Sequence, residues 1–174
     1  QTVNAISTAG YNSIPLSNLT LGVLLTIIFL MYVGAAPSST GGGMKITTLT
    51  AVIAIVKSKV RNQAKVTYLG KKIPADRLEM AVSTFIFYTA ILFFSVFLLS
   101  FTENHSLEKL LFEATSAIGT VGLSMGITGS LSVWGKIILI SIMFIGRVGV
   151  ITFGLAILAK KQHKKIDNET DLAV

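Results

Sequence analysis

The chain has 174 residues, 52% of them apolar and 13% charged, with a mean hydropathy of +0.72. A soluble domain carries about 25% charge, so this composition excludes an ordinary soluble domain as well as disorder, collagen and a coiled coil; the absence of cysteine also excludes disulfides, thiolate metal sites and a Cys nucleophile. The net charge of +7 sits mostly in two blocks, Lys57, Lys59, Arg61, Lys65, Lys71, Lys72 and Arg77, and then Lys160, Lys161, Lys164 and Lys165, which beside apolar runs suggest cytoplasmic flanks of membrane helices before nucleic acid.

The chain opens on a polar stretch holding Ser7-Thr8-Ala9-Gly10-Tyr11-Asn12. Residues 19–36 then carry no charge over 18 positions. A crossing helix needs about 20 apolar residues, so this is the first spanning candidate. No basic region precedes it, which argues against a signal peptide. The run is interrupted by Gly34-Ala35-Ala36-Pro37-Ser38-Ser39-Thr40-Gly41-Gly42-Gly43-Met44-Lys45. Proline removes an amide donor and clashes with the preceding turn, and the three consecutive glycines lower helical stability further. The segment reads as a loop between half-helices, exposed to a water-filled path. A phosphate-binding loop is excluded, because Met44 separates Gly43 from Lys45.

The basic loop, residues 57–77, leads to a second uncharged span, residues 80–101. An acidic connection follows, with Glu103, Glu108 and Glu113 against Lys109. These carboxylates either concentrate cations at an outer mouth or belong to a solvated loop. Residues 107–118 read as a short helix, with the Ser106 hydroxyl as its N-cap acceptor. Residues 114–134 are uncharged but contain Gly119, Gly122, Gly126 and Gly129. This glycine load favours an extended turn that goes back out over a fourth, kinked spanning helix. The last span, residues 137–159, holds one charge, Arg147, about ten residues in. A charge at that depth costs at least about 2.5–3.5 kcal/mol, so it must face the pore or protein. His105 and His163 are isolated, lack metal-ligand spacing and are assigned no role.

Lysine and arginine placement puts the basic loop and the C-terminus in the cytoplasm. Both assignments agree only if residues 107–134 enter and leave from the outer side. A shift of 112 residues then aligns the chain with itself without a gap. Ala5, Ile6, Thr8 and Gly10 fall on Ala117, Ile118, Thr120 and Gly122, and Leu19, Ile28, Met31 and Gly34 fall on Leu131, Ile140, Met143 and Gly146. Each copy reads as helix, pore helix, turn, helix, and the first copy is cut short. The chain starts at Gln1 within a pore module, so it is expected to be the C-terminal part of a longer protein.

The turns Thr8-Ala9-Gly10-Tyr11 and Thr120-Val121-Gly122-Leu123 contain no carboxylate, which disfavours a tight divalent site. Consecutive backbone carbonyls converging on one axis can replace the water shell of a monovalent cation. Glycine at positive φ turns its carbonyl inward, threonine hydroxyls add oxygens, and the short helix before the turn directs its dipole at the site. Potassium is the ion this chemistry suits, with weak discrimination against sodium.

The paired turns resemble those of the Trk/Ktr/HKT superfamily of potassium transporters, and the chain is most similar to a Ktr-system membrane subunit. The break at 34–45 resembles that family's intramembrane gating loop. The resemblance implies an all-α membrane protein of repeated helix–pore loop–helix modules, potassium-channel-like. Residues 1–78 would be a partial third module, 79–165 a complete fourth, and 166–174 a cytoplasmic tail. Backbone carbonyls of Thr8, Ala9, Gly10, Tyr11, Thr120, Val121, Gly122 and Leu123 would bind potassium. Gly34, Pro37, Ser38, Ser39, Thr40, Gly41, Gly42, Gly43 and Lys45 would form the gate with Arg147, whose guanidinium bonds loop carbonyls. The resemblance further implies a multi-pass cell-membrane protein, pairing as a homodimer of the full-length subunit, docked on a cytosolic nucleotide-binding ring. Membrane lipids are the other partners, with no nucleic acid. No cofactor is implied beyond potassium as substrate, with sodium a second candidate ion. No nucleophile–base pair, zinc motif or buried carboxylate pair supports an enzyme. Two alternatives stand beside potassium uptake: the potassium-binding subunit of an ATP-driven pump, and a non-conducting scaffold or fragment.

Overall fold

A computed structural model describes residues 2–11, 16, 19–34, 41–62, 66–68, 71–149 and 152. In chain order the elements are α1 (Thr2–Ser7), α2 (Leu21–Val33), α3 (Ile46–Val60), β1 (Thr67–Tyr68), β2 (Lys71–Lys72), α4 (Ala75–Thr102), α5 (Leu107–Ile118) and α6 (Val133–Val148). The two strands form one short antiparallel ladder, Thr67 opposite Lys72 and Tyr68 opposite Lys71. Apart from that ladder, which the sequence reading left as loop, the described elements are helical.

Helix α4 has 28 residues, a length of about 42 Å at 1.5 Å per residue. Among the described residues it is the one helix both long and apolar enough to cross a membrane unaided. Phe93, Phe94, Phe97 and Phe101 are exposed on its outer side, while Tyr88, Leu92, Val96 and Leu99 are buried on the inner. Its hydroxyls turn back on the helix: Thr84 donates to the Met80 carbonyl at 2.7 Å, Thr89 to Phe85 at 2.7 Å and Ser95 to Ile91 at 2.6 Å. These three hydroxyls in an apolar setting are thus satisfied within the element.

In the other two expected spans the described helices each stop at a left-handed glycine. Helix α2 has 13 residues and stops at Val33, because Gly34 adopts φ +67°. Helix α6 has 16 residues, starting at Val133 behind the Ser132 cap and stopping at Val148, before Gly149 at φ +93°. Absence of charge marks how far a segment is apolar, not how far its backbone stays helical. Residues 150–151 and 153–174, including the second lysine block and the tail, lie outside the described residues, as do Gln63, Ala64 and Lys65.

Helix α5 covers Leu107–Ile118 and is enclosed by α2, α4 and α6. Every residue from Phe112 to Ile118 is buried. The chain after it is irregular, with positive φ at Thr120, Gly122 and Gly126, so residues 107–134 are not one kinked helix. Ser106 stands at the N-cap position, but its hydroxyl accepts no helix amide; it lies 3.3 Å from Glu108 Oε1, to which it donates. One apolar core joins Tyr88, Leu99, Leu110, Ile118 and Ile142 across α4, α5 and α6. A second joins Ala5, Ile27, Met31, Phe112 and Leu123 between α1, α2 and the end of α5.

Helices α5 and α6 approach at Gly146, where a Cβ would collide with the Ile118 carbonyl. Gly146→Val should therefore cost on the order of 1–3 kcal/mol by overpacking. Gly22→Ala on α2, where an added Cβ meets nothing within 4 Å, should be neutral or stabilising by up to about 1 kcal/mol. Thermal unfolding of the full-length protein in detergent checks both.

Candidate functional site

The ends of α1 and α5 fold in the same way. Ala9 N–H donates to the Asn4 carbonyl at 3.2 Å, and Val121 N–H to the Ser116 carbonyl at 2.9 Å. Each bond spans five residues, and the pairs are related by the 112-residue shift. Thr120 N–H adds a bond to the Ala117 carbonyl at 3.1 Å. A six-to-one bond over a left-handed residue is a Schellman ending, whose left-handed position normally belongs to glycine. Here it is occupied by threonine, Thr8 at φ 54° and Thr120 at φ 53°. Positive φ in a β-branched residue is a genuine outlier, and such strain persists only where its surroundings over-determine it.

Two residues further on, the backbone turns left-handed again, at Gly10 (φ 74°) and Gly122 (φ 85°). The turns meet at these glycines. A Cβ on Gly10 would lie 2.7 Å from the Val121 carbonyl oxygen and 3.5 Å from Gly122 Cα; a Cβ on Gly122 would lie 3.5 Å from Gly10 Cα. Two backbones approach this closely only without side chains. Asn4 Nδ2 ties the far side of the first turn by donating to the Tyr11 carbonyl at 2.7 Å. The side chains diverge: Ala9 and Tyr11 are exposed, whereas Val121 and Leu123 are buried.

The described part of the glycine-rich break lies against the second turn. Gly42 N–H donates to Thr120 Oγ1 at 2.7 Å, and a Cβ on Gly42 would stand 2.6 Å from that oxygen. Gly43 is left-handed at φ 83°, with its Cβ position 3.4 Å from Gly119 Cα and 3.6 Å from the Tyr88 hydroxyl. Gly34 packs on the Met44 carbonyl, and Met44 is fully buried. Lys45 Nζ donates to the Gly41 carbonyl at 2.6 Å. Pro37, Ser38, Ser39 and Thr40 of the expected gate lie outside the described residues, as do Ala35 and Ala36 of the break.

Arg147 stands in the last turn of α6, where a cation suits the helix dipole. It lines an open cavity of about 460 Å³ shared with Glu113, Thr120, Gly122, Ser124 and Thr128. Its neighbour Gly146 is against Gly42. The break, the second turn and the end of α6 therefore converge. Among the described residues no group of three or more His, Asp or Glu gathers as a metal site.

Over residues 1–168 the sequence matches the family TrkH, cation transport protein. The chain belongs to the TrkH family. Among its relatives, the Ktr system potassium uptake protein D of Bacillus subtilis (strain 168) is 39% identical over 159 residues, covering 91% of this chain and 35% of the relative. The Ktr system potassium uptake protein B of Vibrio alginolyticus is 38% identical over 145 residues, 83% of this chain and 32% of the relative. The potassium/sodium uptake protein NtpJ of Enterococcus hirae is 35% identical over 157 residues, 88% and 35% of the two chains. The chain thus spans about a third of the length of these curated relatives. They are transporters and not enzymes.

In this TrkH chain two carboxylates have roles the sequence reading missed. Glu113 is buried, its oxygens taken by Ser124, Met125 and Thr128, so it is neither a mouth charge nor a solvated one. Glu103 Oε1 accepts from Ser132 N–H at 2.9 Å and Ser132 Oγ at 2.6 Å, fastening the start of α6 to the end of α4. Glu108 is exposed. The available signal was Ser124 and Thr128, two hydroxyls four residues apart in an uncharged stretch, which needed an acceptor.

Thr120 Oγ1 is the acceptor for Gly42 N–H, and a valine of equal shape cannot replace it. Thr120→Val should leave that amide unpaired, at a cost of about 1–3 kcal/mol. Hydrogen–deuterium exchange of peptides covering residues 41–44 should accelerate relative to those in α4.

Proposed function

We propose that this chain supplies two of the pore modules through which a full-length subunit takes up potassium across the cytoplasmic membrane. Residues 1–78 are the partial third module, 79–165 the complete fourth, and 166–174 a cytoplasmic tail. The observation that carries the reading is the pair of equivalent turns, each with a left-handed threonine and glycine, meeting at Gly10 and Gly122. Left-handed residues at alternate positions bring successive peptide carbonyls toward one side of a strand. That array suits a dehydrated monovalent cation, and the carboxyl end of α5, which leads into the second turn, adds a negative dipole.

Backbone carbonyls of Thr8, Ala9, Gly10 and Tyr11, and of Thr120, Val121, Gly122 and Leu123, are the proposed ligands. Gly34, Pro37, Ser38, Ser39, Thr40, Gly41, Gly42, Gly43 and Lys45 form the gate, with Arg147 opposing cation passage beside it. The contact of Gly42 and Gly43 with the second turn supports a gate directly below a filter. The subunit is multi-pass, with its C-terminus cytoplasmic by the positive-inside rule. It pairs as a homodimer on a cytosolic nucleotide-binding ring. The relatives' names favour potassium, and that of NtpJ adds sodium as substrate or coupling ion. They also favour uptake over the potassium-binding subunit of an ATP-driven pump.

The test is rubidium uptake by the full-length protein in cells lacking other potassium uptake. Gly122→Ser puts a side chain on a left-handed residue facing Gly10 and should abolish discrimination between potassium and sodium. Retained discrimination would remove the filter assignment. Deleting residues 38–43 should raise flux, and unchanged flux would count against a gate. Arg147→Gln should alter the maximal uptake rate; unaltered rate and cation affinity would exclude its role.

A further inference from the structure

We infer that Glu113 is a positioning residue that clamps the second turn and thereby sets its cation preference. The inference rests on the filter reading above and deepens it. Glu113 lies on α5, five residues before the helix ends, and is 5% exposed. Its Oε1 accepts from Ser124 Oγ at 2.6 Å and from Met125 N–H at 3.0 Å; its Oε2 accepts from Thr128 Oγ1 at 3.0 Å. Ser124 Oγ also accepts from Gly126 N–H at 2.9 Å and lies 2.8 Å from Thr128 Oγ1.

All three donors lie just beyond the turn, and the acceptor lies just before it. The carboxylate therefore closes a ring around residues 114–123. Gly119, Gly122 and Gly126 give this backbone little intrinsic stiffness, yet Thr120 holds an unfavourable left-handed conformation. A buried acceptor with three donors supplies the missing constraint. If one end of the turn moves, a buried carboxylate oxygen or a buried donor loses its partner. Cations of different radius can be told apart only if the carbonyls stay at a set spacing or present a set number of dipoles, and both need the turn held.

The sequence of the first turn does not repeat this set of groups. The 112-residue shift pairs Glu113 with Gln1 and Thr128 with Leu16, so one hydroxyl donor has no counterpart there.

The experiment uses the full-length protein in proteoliposomes, with rubidium uptake measured against increasing sodium. Glu113→Ala removes every clamp bond and should lower the preference for rubidium over sodium about tenfold. Glu113→Gln keeps the amide oxygen for Ser124 and Met125, while the Thr128 hydroxyl can accept from the new amide nitrogen; it should restore the preference to within about twofold. Glu108→Gln, exposed on the same helix, should change nothing. If Glu113→Ala keeps the preference while Gly122→Ser loses it, the clamp is wrong and the filter stands; if both keep it, the filter reading falls first. A loss in Glu113→Gln as large as in Glu113→Ala would overturn the clamp in favour of charge alone. Should Glu113→Ala fail to fold, Thr128→Val decides: a reduced preference supports the clamp, and an unchanged one overturns it.

Discussion

Irregular backbone inside an apolar protein must find partners for its own amides and carbonyls, because hydrocarbon supplies none. Most of the architecture around the turns answers that demand. The turn after α5 has its first amides bonded to the carbonyls of the helix it leaves. Its threonine hydroxyl takes an amide from the glycine-rich break. Its exit is taken by Glu113, and the entry to the next helix by Glu103. Each partner is a different kind of group, yet all serve one requirement, and each adds a fixed point to a segment rich in glycine.

The glycines themselves act through space more than through flexibility. Gly146 lets α6 close on the end of α5, Gly42 lets the break reach Thr120, and Gly10 lets the first turn meet the second. Three separate segments thereby come within van der Waals distance of residues 118–122. Larger side chains at these points would hold backbone from backbone by several ångströms, and hydrogen bonds such as that from Gly42 to Thr120 could not form.

Much of this was legible in the sequence, for identifiable reasons. The 112-residue repeat and the Thr-x-Gly spacing named both turns, and the range of α5 follows from a polar start at Ser106 and a glycine end. Helix lengths were less legible. The end of α2 follows from the glycine- and proline-rich break that begins at Gly34, whereas Gly149, which stops α6, resembles Gly146 within the same run. Glu113 was misread because its partners lie 11 to 15 residues later, on the far side of a turn, where local pattern says nothing. Of the candidate gate, Pro37, Ser38, Ser39 and Thr40 are open to sequence reasoning alone.

The strained threonines tie these points together. A left-handed β-branched residue costs of order 1–3 kcal/mol, and glycine would take Thr120's conformation freely. Glycine has no hydroxyl, however, and Gly42 N–H would then lack its acceptor in a buried position. Losing that bond costs about as much as the strain does. Threonine therefore carries a conformational penalty in exchange for a contact between the turn and the break. The consequence is mechanical: a displacement of Gly42 from the turn releases the hydroxyl that justifies the strain, so the stability of the turn's backbone depends on where the break sits. A loop that touched only side chains at the periphery could move without that consequence.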